Sequence, residues 1–108
     1  MTGAESLKGI ALNLAELVDY ASGAVVSKTI LDKKTGTLTV FSFDEGQGLS
    51  EHTSPYDATV MVLEGQATVT IGGKPTQINK GELAIMPANV PHDVRAEQRF
   101  KMLLIMIR

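Results

Sequence analysis

The feature that most constrains how this chain can fold is the regular return of turn signals between short runs of β-forming residues. From residue 24 onward, apolar or alternating runs are separated by turns, of which DKKTG at 32–36 and Gly72-Gly73 are the clearest. The turns return roughly every 8–12 residues, a spacing typical of antiparallel sandwiches and barrels. An all-β chain is therefore predicted, with strands at 24–31, 37–43, 58–63, 66–71, 83–86, 90–96 and 99–107.

The residues before the first predicted strand have the pattern of one short helix. Asn13 is a good N-cap residue, and Glu16 follows three positions later in a variant of the capping box. Gly23 is the predicted stop. The sequence therefore predicts an N-terminal extension with a short helix at residues 1–23 and a barrel at residues 24–108. The apolar stripe of the helix consists of Leu14, Leu17, Val18 and Ala21.

Composition excludes several classes of protein. The chain has 108 residues, about one domain, and no cysteine, so disulfides, thiolate metal sites and thiol nucleophiles are excluded. Ten Lys and Arg residues against 12 Asp and Glu residues leave no basic surface for nucleic acid or an anionic membrane. No run of ~18 apolar residues could span a bilayer, and no signal peptide is recognisable. We expect a cytoplasmic protein with no nucleic-acid or membrane partner.

The two histidines lie in segments that resemble the two motifs of the cupin superfamily. The first, GQGLSEHTSPYDATVMVLEG at 46–65, matches G-x5-H-x-H-x3/4-E-x6-G at Gly46, His52 and Gly65. The second, GELAIMPANVPHDVRA at 81–96, matches G-x5-P-x-G-x2-H-x3-N at Gly81, Pro87 and His92. The resemblance covers residues 37–107 and implies a small single-domain cupin: an all-β jelly-roll barrel, or double-stranded β-helix, with a short N-terminal helix.

This chain departs from the family pattern where the metal ligands belong. In a full cupin, three histidines and a glutamate bind one divalent metal inside the barrel. Ser54 stands where the second histidine would be, and Ala58, or Thr59 for the longer spacing, stands where the glutamate would be. Only His52 and His92 remain as metal ligands, which predicts a weak site. The other two departures are Asn89 for glycine and Ala96 for asparagine.

Neighbouring residues offer little replacement for the missing ligands. Side chains alternate along a strand, so positions 52, 54 and 58 share the inner face and Glu51 and Asp57 point away. A bulge at Pro55 would rotate Asp57 or Tyr56 inward. Complete structural zinc sites contribute ~10–16 kcal/mol, and half of the ligands would leave ~5–8 kcal/mol. We therefore expect no tightly bound cofactor, with a labile divalent metal (iron, manganese, nickel, copper or zinc) as the open alternative.

A ligand pocket inside the barrel is the second prediction for the site. Four methionines would either line a plastic ligand pocket or fill the core: Met61, Met86, Met102 and Met106. Tyr56 would be either a hydrogen-bond donor at the pocket mouth or an exposed loop residue. The predicted pocket residues are Ser54, Tyr56, Ala58, Met61 and Met86.

Three functions remain open from the sequence. The first is a small-molecule-binding cupin with a weak or absent metal site. The second is a metal-dependent enzyme of the dioxygenase, isomerase or decarboxylase type, in which a two-histidine metal activates substrate or dioxygen and Tyr56 donates a proton. The third is a structural or interaction protein with a vestigial pocket. Whether the protein is an enzyme is therefore left open.

Two predicted strands lack a polar face, which indicates a partner subunit. Residues 60–63 and 102–107 are apolar at every position. A barrel fills its interior from one side of each strand, so the other side would be exposed in a monomer. The short helix can cover only part of it. We therefore predict a homodimer.

Overall fold

The computed structural model describes residues 7–108, which form two antiparallel sheets. A five-stranded sheet has the order β1-β2-β9-β4-β7, and a four-stranded sheet has the order β3-β8-β5-β6. The predicted all-β jelly-roll barrel is confirmed. Within residues 7–108, no helix is long and apolar enough to cross a membrane. The strands are β1 Val25–Lys33, β2 Gly36–Phe43, β3 Gly48–His52, β4 Ala58–Glu64, β5 Gln66–Ile71, β6 Lys74–Asn79, β7 Leu83–Met86, β8 His92–Arg95 and β9 Phe100–Ile107.

Two strands that the sequence pattern does not reveal, β3 and β6, form the edges of the four-stranded sheet. Both are mostly polar and exposed, so they lack the apolar runs that mark the other strands. In β6, Pro75 has no N–H to donate, which suits an edge position.

The core lies between the two sheets. Alternate residues of the five-stranded sheet point inward and meet inward residues of the four-stranded sheet. Phe43 and Phe100 stack at its centre with ring centroids 4.5 Å apart. The buried members of this cluster are Phe43, Ala58, Val60, Val62, Ala67, Val69, Ile78, Met86, Val94, Ala96, Phe100 and Met102.

The predicted N-terminal helix is present only as a single 3-10 turn at Leu14–Glu16, and Asn13 makes no side-chain cap bond. A longer helix would need the carbonyl oxygens of Ala15 and Asp19 as acceptors for N–H groups four residues later. Those oxygens instead accept hydrogen bonds from side chains of the sheet. Lys101 Nζ donates to Ala15 O at 2.7 Å, and Ser42 Oγ donates to Asp19 O at 2.8 Å.

The segment 7–23, which we call the N-terminal strap, lies on the outer face of the five-stranded sheet. A second apolar cluster forms there from strap leucines, Val18 and outward residues such as Val40 and Leu103. The strap leaves part of the outer face exposed, because Leu83, Ile85 and Ile107 are 51%, 60% and 68% exposed. Residues 1–6 of the predicted extension lie outside the described residues.

Candidate functional site

The two histidines lie opposite each other on neighbouring strands. His52 on β3 pairs with His92 on β8 in the antiparallel register. Their ring centroids are 4.4 Å apart, and the ring planes meet edge to face at 68°. His92 is only 3% exposed, whereas His52 lies at the surface. One histidine of the pair therefore lies in the barrel interior and the other contacts solvent.

A β-bulge sets this pairing. The register places Leu49 opposite Val94 and His52 opposite His92, so three steps on β3 match two steps on β8. One extra residue in a strand reverses the direction in which the following side chains point. Leu49 and His52 consequently both line the cavity described below, although they are an odd number of positions apart.

Each imidazole is oriented by a backbone carbonyl. His52 Nδ1 lies 2.7 Å from Ser50 O, and His92 Nδ1 lies 3.1 Å from Val90 O. A carbonyl oxygen only accepts, so each Nδ1 carries the proton and donates. In the neutral ring the lone pair then resides on Nε2. Neither Nε2 has a hydrogen-bond partner among residues 7–108, so both lone pairs are available to a ligand.

A cavity of about 70 Å³ opens beside the two rings. Its only polar side chains within residues 7–108 are those of the two histidines and Ser54. The rest of the wall is apolar and comes from both sheets. The lining residues are Leu49, His52, Ser54, Ala58, Val60, Met86, His92, Val94, Met102, Leu104 and Met106.

The loops next to the cavity are tied to each other by hydrogen bonds. Ser54 Oγ accepts from Tyr56 N at 3.1 Å, and Ser54 O accepts from Asn89 N at 2.7 Å. Asp57 Oδ1 accepts from Ala88 N at 2.8 Å. Asn89 has φ 64°, a left-handed conformation that asparagine adopts more readily than most residues. These bonds hold Asp57 in the loop, and the cavity wall formed by the described part of the chain has no carboxylate.

The predicted pocket residues therefore divide into two groups. Ser54, Ala58 and Met86 line the cavity. Tyr56 is 39% exposed and is not on the cavity wall. Met61 packs into the outer cluster on the opposite face of β4, because it is three positions from Ala58 and side chains alternate along a strand.

Several lining residues are missing from the sequence-based prediction. Leu104 lies on the same face of β9 as Met102 and Met106, the two methionines that the sequence offers either as pocket lining or as core filler, and this period of two was a usable signal for Leu104. Leu49 carries no such signal, because its inward direction depends on the bulge.

The metal site of the resembled family does not fit these residues. Within residues 7–108 no group of three or more His, Cys, Asp or Glu side chains could hold a metal ion. At the two positions of the missing ligands, Ser54 offers a hydroxyl and Ala58 no donor. This lining supports no catalytic step through a divalent metal.

Comparison with known proteins gives one family and many similar folds. The sequence model described as Cupin_2, Cupin domain, matches residues 39–108. A conserved protein of unknown function from Streptococcus pyogenes is 32% identical, with a TM-score of 0.90 over 100% of this chain and 96% of its own. A cupin superfamily protein from Desulfitobacterium hafniense is 26% identical, with a TM-score of 0.86 over 93% of this chain and 92% of its own.

A third structure shares more sequence over part of a longer protein. The cupin 2 conserved barrel domain protein from Leptotrichia buccalis is 46% identical over 90% of this chain, with a TM-score of 0.87. The match spans 47% of that protein's length. No curated protein matches this chain.

Proposed function

Because the chain belongs to the Cupin_2 family of cupin domains, we propose that it is a small-molecule-binding protein whose ligand occupies the cavity beside His52 and His92. One observation carries this proposal: two histidines whose Nε2 atoms have no hydrogen-bond partner among residues 7–108 line a cavity whose wall is otherwise almost entirely apolar. Ligand sites typically combine such a wall with a few polar groups that orient the ligand.

The cavity constrains the size of the ligand. An apolar protein cavity of about 150 Å³ admits benzene. A cavity of about 70 Å³ suits a body of a few carbon atoms, or one end of a longer molecule that leaves past the exposed His52.

The polar groups constrain the ligand's chemistry. Neutral imidazoles with protonated Nδ1 accept hydrogen bonds at Nε2, so they favour a ligand with a hydroxyl or amino group. Ser54 Oγ already accepts a bond from Tyr56 N, and its own hydroxyl proton can be donated to the ligand. A short alcohol or amine with an apolar tail matches this arrangement.

No reaction is assigned to the site. A two-histidine metal enzyme would use the same Nε2 atoms, but among residues 7–108 no carboxylate lines the wall, whereas the family's metal site uses one. The cavity argues against a vestigial pocket, because a barrel without a ligand would gain stability by filling it. We further propose that the protein binds no cofactor tightly. We also propose that it is a homodimer and that it is located in the cytoplasm. The last two rest on the apolar outer face and the lack of cysteine.

The test is a ligand-detected NMR screen with n-propanol, n-propylamine and n-propane-sulfonate on metal-free protein. Ala58→Leu adds a side chain at a cavity position, and His92→Ala removes one Nε2. We expect the alcohol and the amine to bind the wild type in preference to the sulfonate, and both variants to lose this binding. Thr68→Leu, on the outer side of the four-stranded sheet, is the control and should bind like the wild type. Equal binding by wild type and Ala58→Leu would exclude the cavity as the site.

A further inference from the structure

We propose that the cavity beside the two histidines directs the oxidation of one methionine, Met106, to its sulfoxide by hydrogen peroxide. Three of the four methionines in residues 7–108 line this one cavity: Met86, Met102 and Met106. The chain has no cysteine, so thioethers are its only sulfur groups that peroxide can oxidise. The oxidation itself is independent of the proposed function, whereas its effect on ligand binding rests on that function.

The strand register brings Met106 to the same end of the barrel as the two histidines. Met106 on β9 is paired with Ala58, the first residue of β4. Ala58 follows the loop that begins after His52, the last residue of β3. These three residues and His92 all line the one cavity. Because Ala58 carries only a methyl group, it leaves space beside the Met106 thioether.

Hydrogen peroxide matches the cavity in size and in hydrogen bonding. A water molecule takes about 30 Å³ in the liquid, so two linked oxygen atoms need about 60 Å³, and the cavity has a volume of about 70 Å³. Peroxide has two O–H groups, and the Nε2 atoms of His52 and His92 are two acceptors without a partner among residues 7–108. Ser54 adds a hydroxyl donor to the same wall. His52 is exposed, which gives a small solute a route from solvent.

The reaction transfers one oxygen atom and two electrons. The sulfur of Met106 attacks one peroxide oxygen, and an S–O bond forms while the O–O bond breaks. The proton on the transferred oxygen moves to the departing oxygen, which leaves as water, so the sulfur is oxidised and the peroxide is reduced. During this step the transferred O–H becomes more acidic and the departing oxygen gains negative charge. A histidine Nε2 that accepts from the first and the Ser54 hydroxyl that donates to the second therefore bind the transition state more strongly than the peroxide.

Exposure to solvent does not by itself single out Met106. Met106 and Met61 are both partly buried residues of the five-stranded sheet, but Met61 packs into the outer cluster, on the face away from the histidines. Met86 and Met102 are 2% and 0% exposed, so their sulfur atoms are more shielded from an oxidant. Met61 is therefore the matched comparison for Met106, because it is similarly buried and does not line the cavity.

Oxidation of Met106 changes the proposed ligand site. A sulfoxide is polar and is larger than the thioether by one oxygen atom. A polar group on an apolar wall is costly unless it is hydrogen-bonded, and the Ser54 hydroxyl is a donor on this wall. The sulfoxide thus takes the space and the hydroxyl that a short alcohol would use. Because methionine sulfoxide can be reduced again, the loss of ligand binding is reversible.

The experiment exposes the metal-free full chain to dilute hydrogen peroxide, with a chelator present, and measures the oxidation of each methionine by peptide mass spectrometry. We expect Met106 to be oxidised at least about tenfold faster than Met61. His52→Ala and Ser54→Ala should each lower the Met106 rate toward the Met61 rate. Both variants should fold, because His52 is exposed and Ser54→Ala removes only a hydroxyl. Ser27→Ala, at an exposed residue of β1, is the control and should leave the Met106 rate unchanged.

Equal oxidation rates at Met106 and Met61 in the wild type would overturn the proposal, and so would a Met106 rate that both variants leave unchanged. Ligand binding is tested separately with Met106→Gln, whose polar amide imitates the sulfoxide, and with Met61→Gln as its control. Only Met106→Gln should lose the binding of n-propanol, and full binding by this variant would refute the effect on the ligand site. Fast oxidation of Met106 in a wild type that binds no alcohol would refute the proposed function and support the oxidation site.

Discussion

Among the glycines of the first motif, Gly65 combines a left-handed backbone conformation with a close approach of other atoms. Its φ is 76°, and a Cβ added there would lie 2.6 Å from Arg99 O and 3.0 Å from Phe100 Cβ. The constraint is therefore both conformational and steric, since the chain must turn from β4 into β5 directly against the start of β9. This gives a physical reason for the glycine that closes the motif.

We expect Gly65→Ala to destabilise the protein by about 2–4 kcal/mol, the sum of left-handed backbone strain and the clash with Arg99 O. Gly73→Ala is the matched control. Gly73 has φ 81° and no atom within 4 Å of an added Cβ, so it should cost only about 1–2 kcal/mol. Urea unfolding of both variants measures the difference. Equal losses of stability in the two variants would mean that the atoms around residue 65 move to accept the added Cβ without a cost in free energy.

At the scale of elements, the strap is attached to the sheet by polar side chains that are distant in sequence. Lys101 is buried at 8% exposure, and its Nζ lies 4.9 Å from the centre of the Tyr20 ring and 4.0 Å from Glu64 Oε2. Tyr20 donates its hydroxyl proton to Glu64. Burial and this hydrogen bond raise the pKa of Tyr20 above its usual value. Lys101 therefore links a strap carbonyl, an aromatic ring and a carboxylate.

Replacing Lys101 by Met should loosen the strap and leave the barrel folded. The variant removes the donor to Ala15 O, and we expect a loss of about 1–3 kcal/mol. Hydrogen exchange should accelerate at residues 12–20 and change little in β5 and β8. Lys28→Met, at an exposed residue of β1, is the control and should leave strap exchange unchanged. Uniformly faster exchange throughout the barrel would show that Lys101 stabilises the whole core instead.

A second attachment, at the entry to β1, is pH-dependent. Asp44 accepts from Gly23 N at 2.7 Å and from Arg99 Nε at 2.9 Å. The Gly23 hydrogen bond, followed by that of Arg99, lowers the pKa of Asp44 to about 2. The folded state thus favours the charged carboxylate, and the attachment is weakened when the carboxyl is protonated.

The lowered pKa of Asp44 determines in which direction its contribution to stability changes with pH. Because the pKa of Asp44 is about 2 in the folded protein and about 4 when unfolded, its contribution is complete above about pH 5 and is lost as the pH falls toward 2. We expect Asp44→Asn to be less stable than wild type at pH 7 and nearly equal to it at about pH 2. Asp32→Asn, at an exposed residue of β1, is the control for charge alone. A difference in the free energy of unfolding between wild type and Asp44→Asn that does not change with pH would contradict the role of the charged Asp44 carboxylate.

At the scale of the whole molecule, the outer face of the five-stranded sheet changes from partly buried beside the strap, at Leu38 and Ile105, to exposed at Ile85. One row runs through Leu38, Ile105, Thr59 and Ile85, which are neighbours in the strand register. The strap covers the adjacent row at Val40 and Leu103. Beyond it lies exposed apolar surface that ends at the edge strand β7. A second copy of the chain, related by two-fold symmetry, would bury the same surface on both subunits.

We therefore expect a homodimer at micromolar concentration, measured by light scattering coupled to size exclusion. Ile85→Lys places a charge in the exposed row and should produce monomers. Thr68→Lys adds the same charge to the outer side of the four-stranded sheet and should remain dimeric. A wild-type monomer across the concentration range would mean that the strap alone suffices to protect this face.

The features that the sequence alone could predict are those that depend on residues close together along the chain. Turn residues and period-two alternation predict seven of the strands and the inward direction of Ser54 and Ala58, because each depends on residues a few positions apart. The same alternation, applied from Ala58, directs Met61 away from the cavity. The motif spacing in turn predicted the cupin barrel.

The tertiary structure decided what depends on contacts between distant residues. Only one turn of the predicted helix forms, because Lys101 and Ser42 donate hydrogen bonds to carbonyl oxygens that a longer helix would use as acceptors. Leu49 faces the cavity because a bulge shifts β3 against β8. Met86 and Met106 flank Ala58 only through the pairing of three strands. Strand register is fixed when apolar faces are buried together, so no stretch of sequence contains that information by itself.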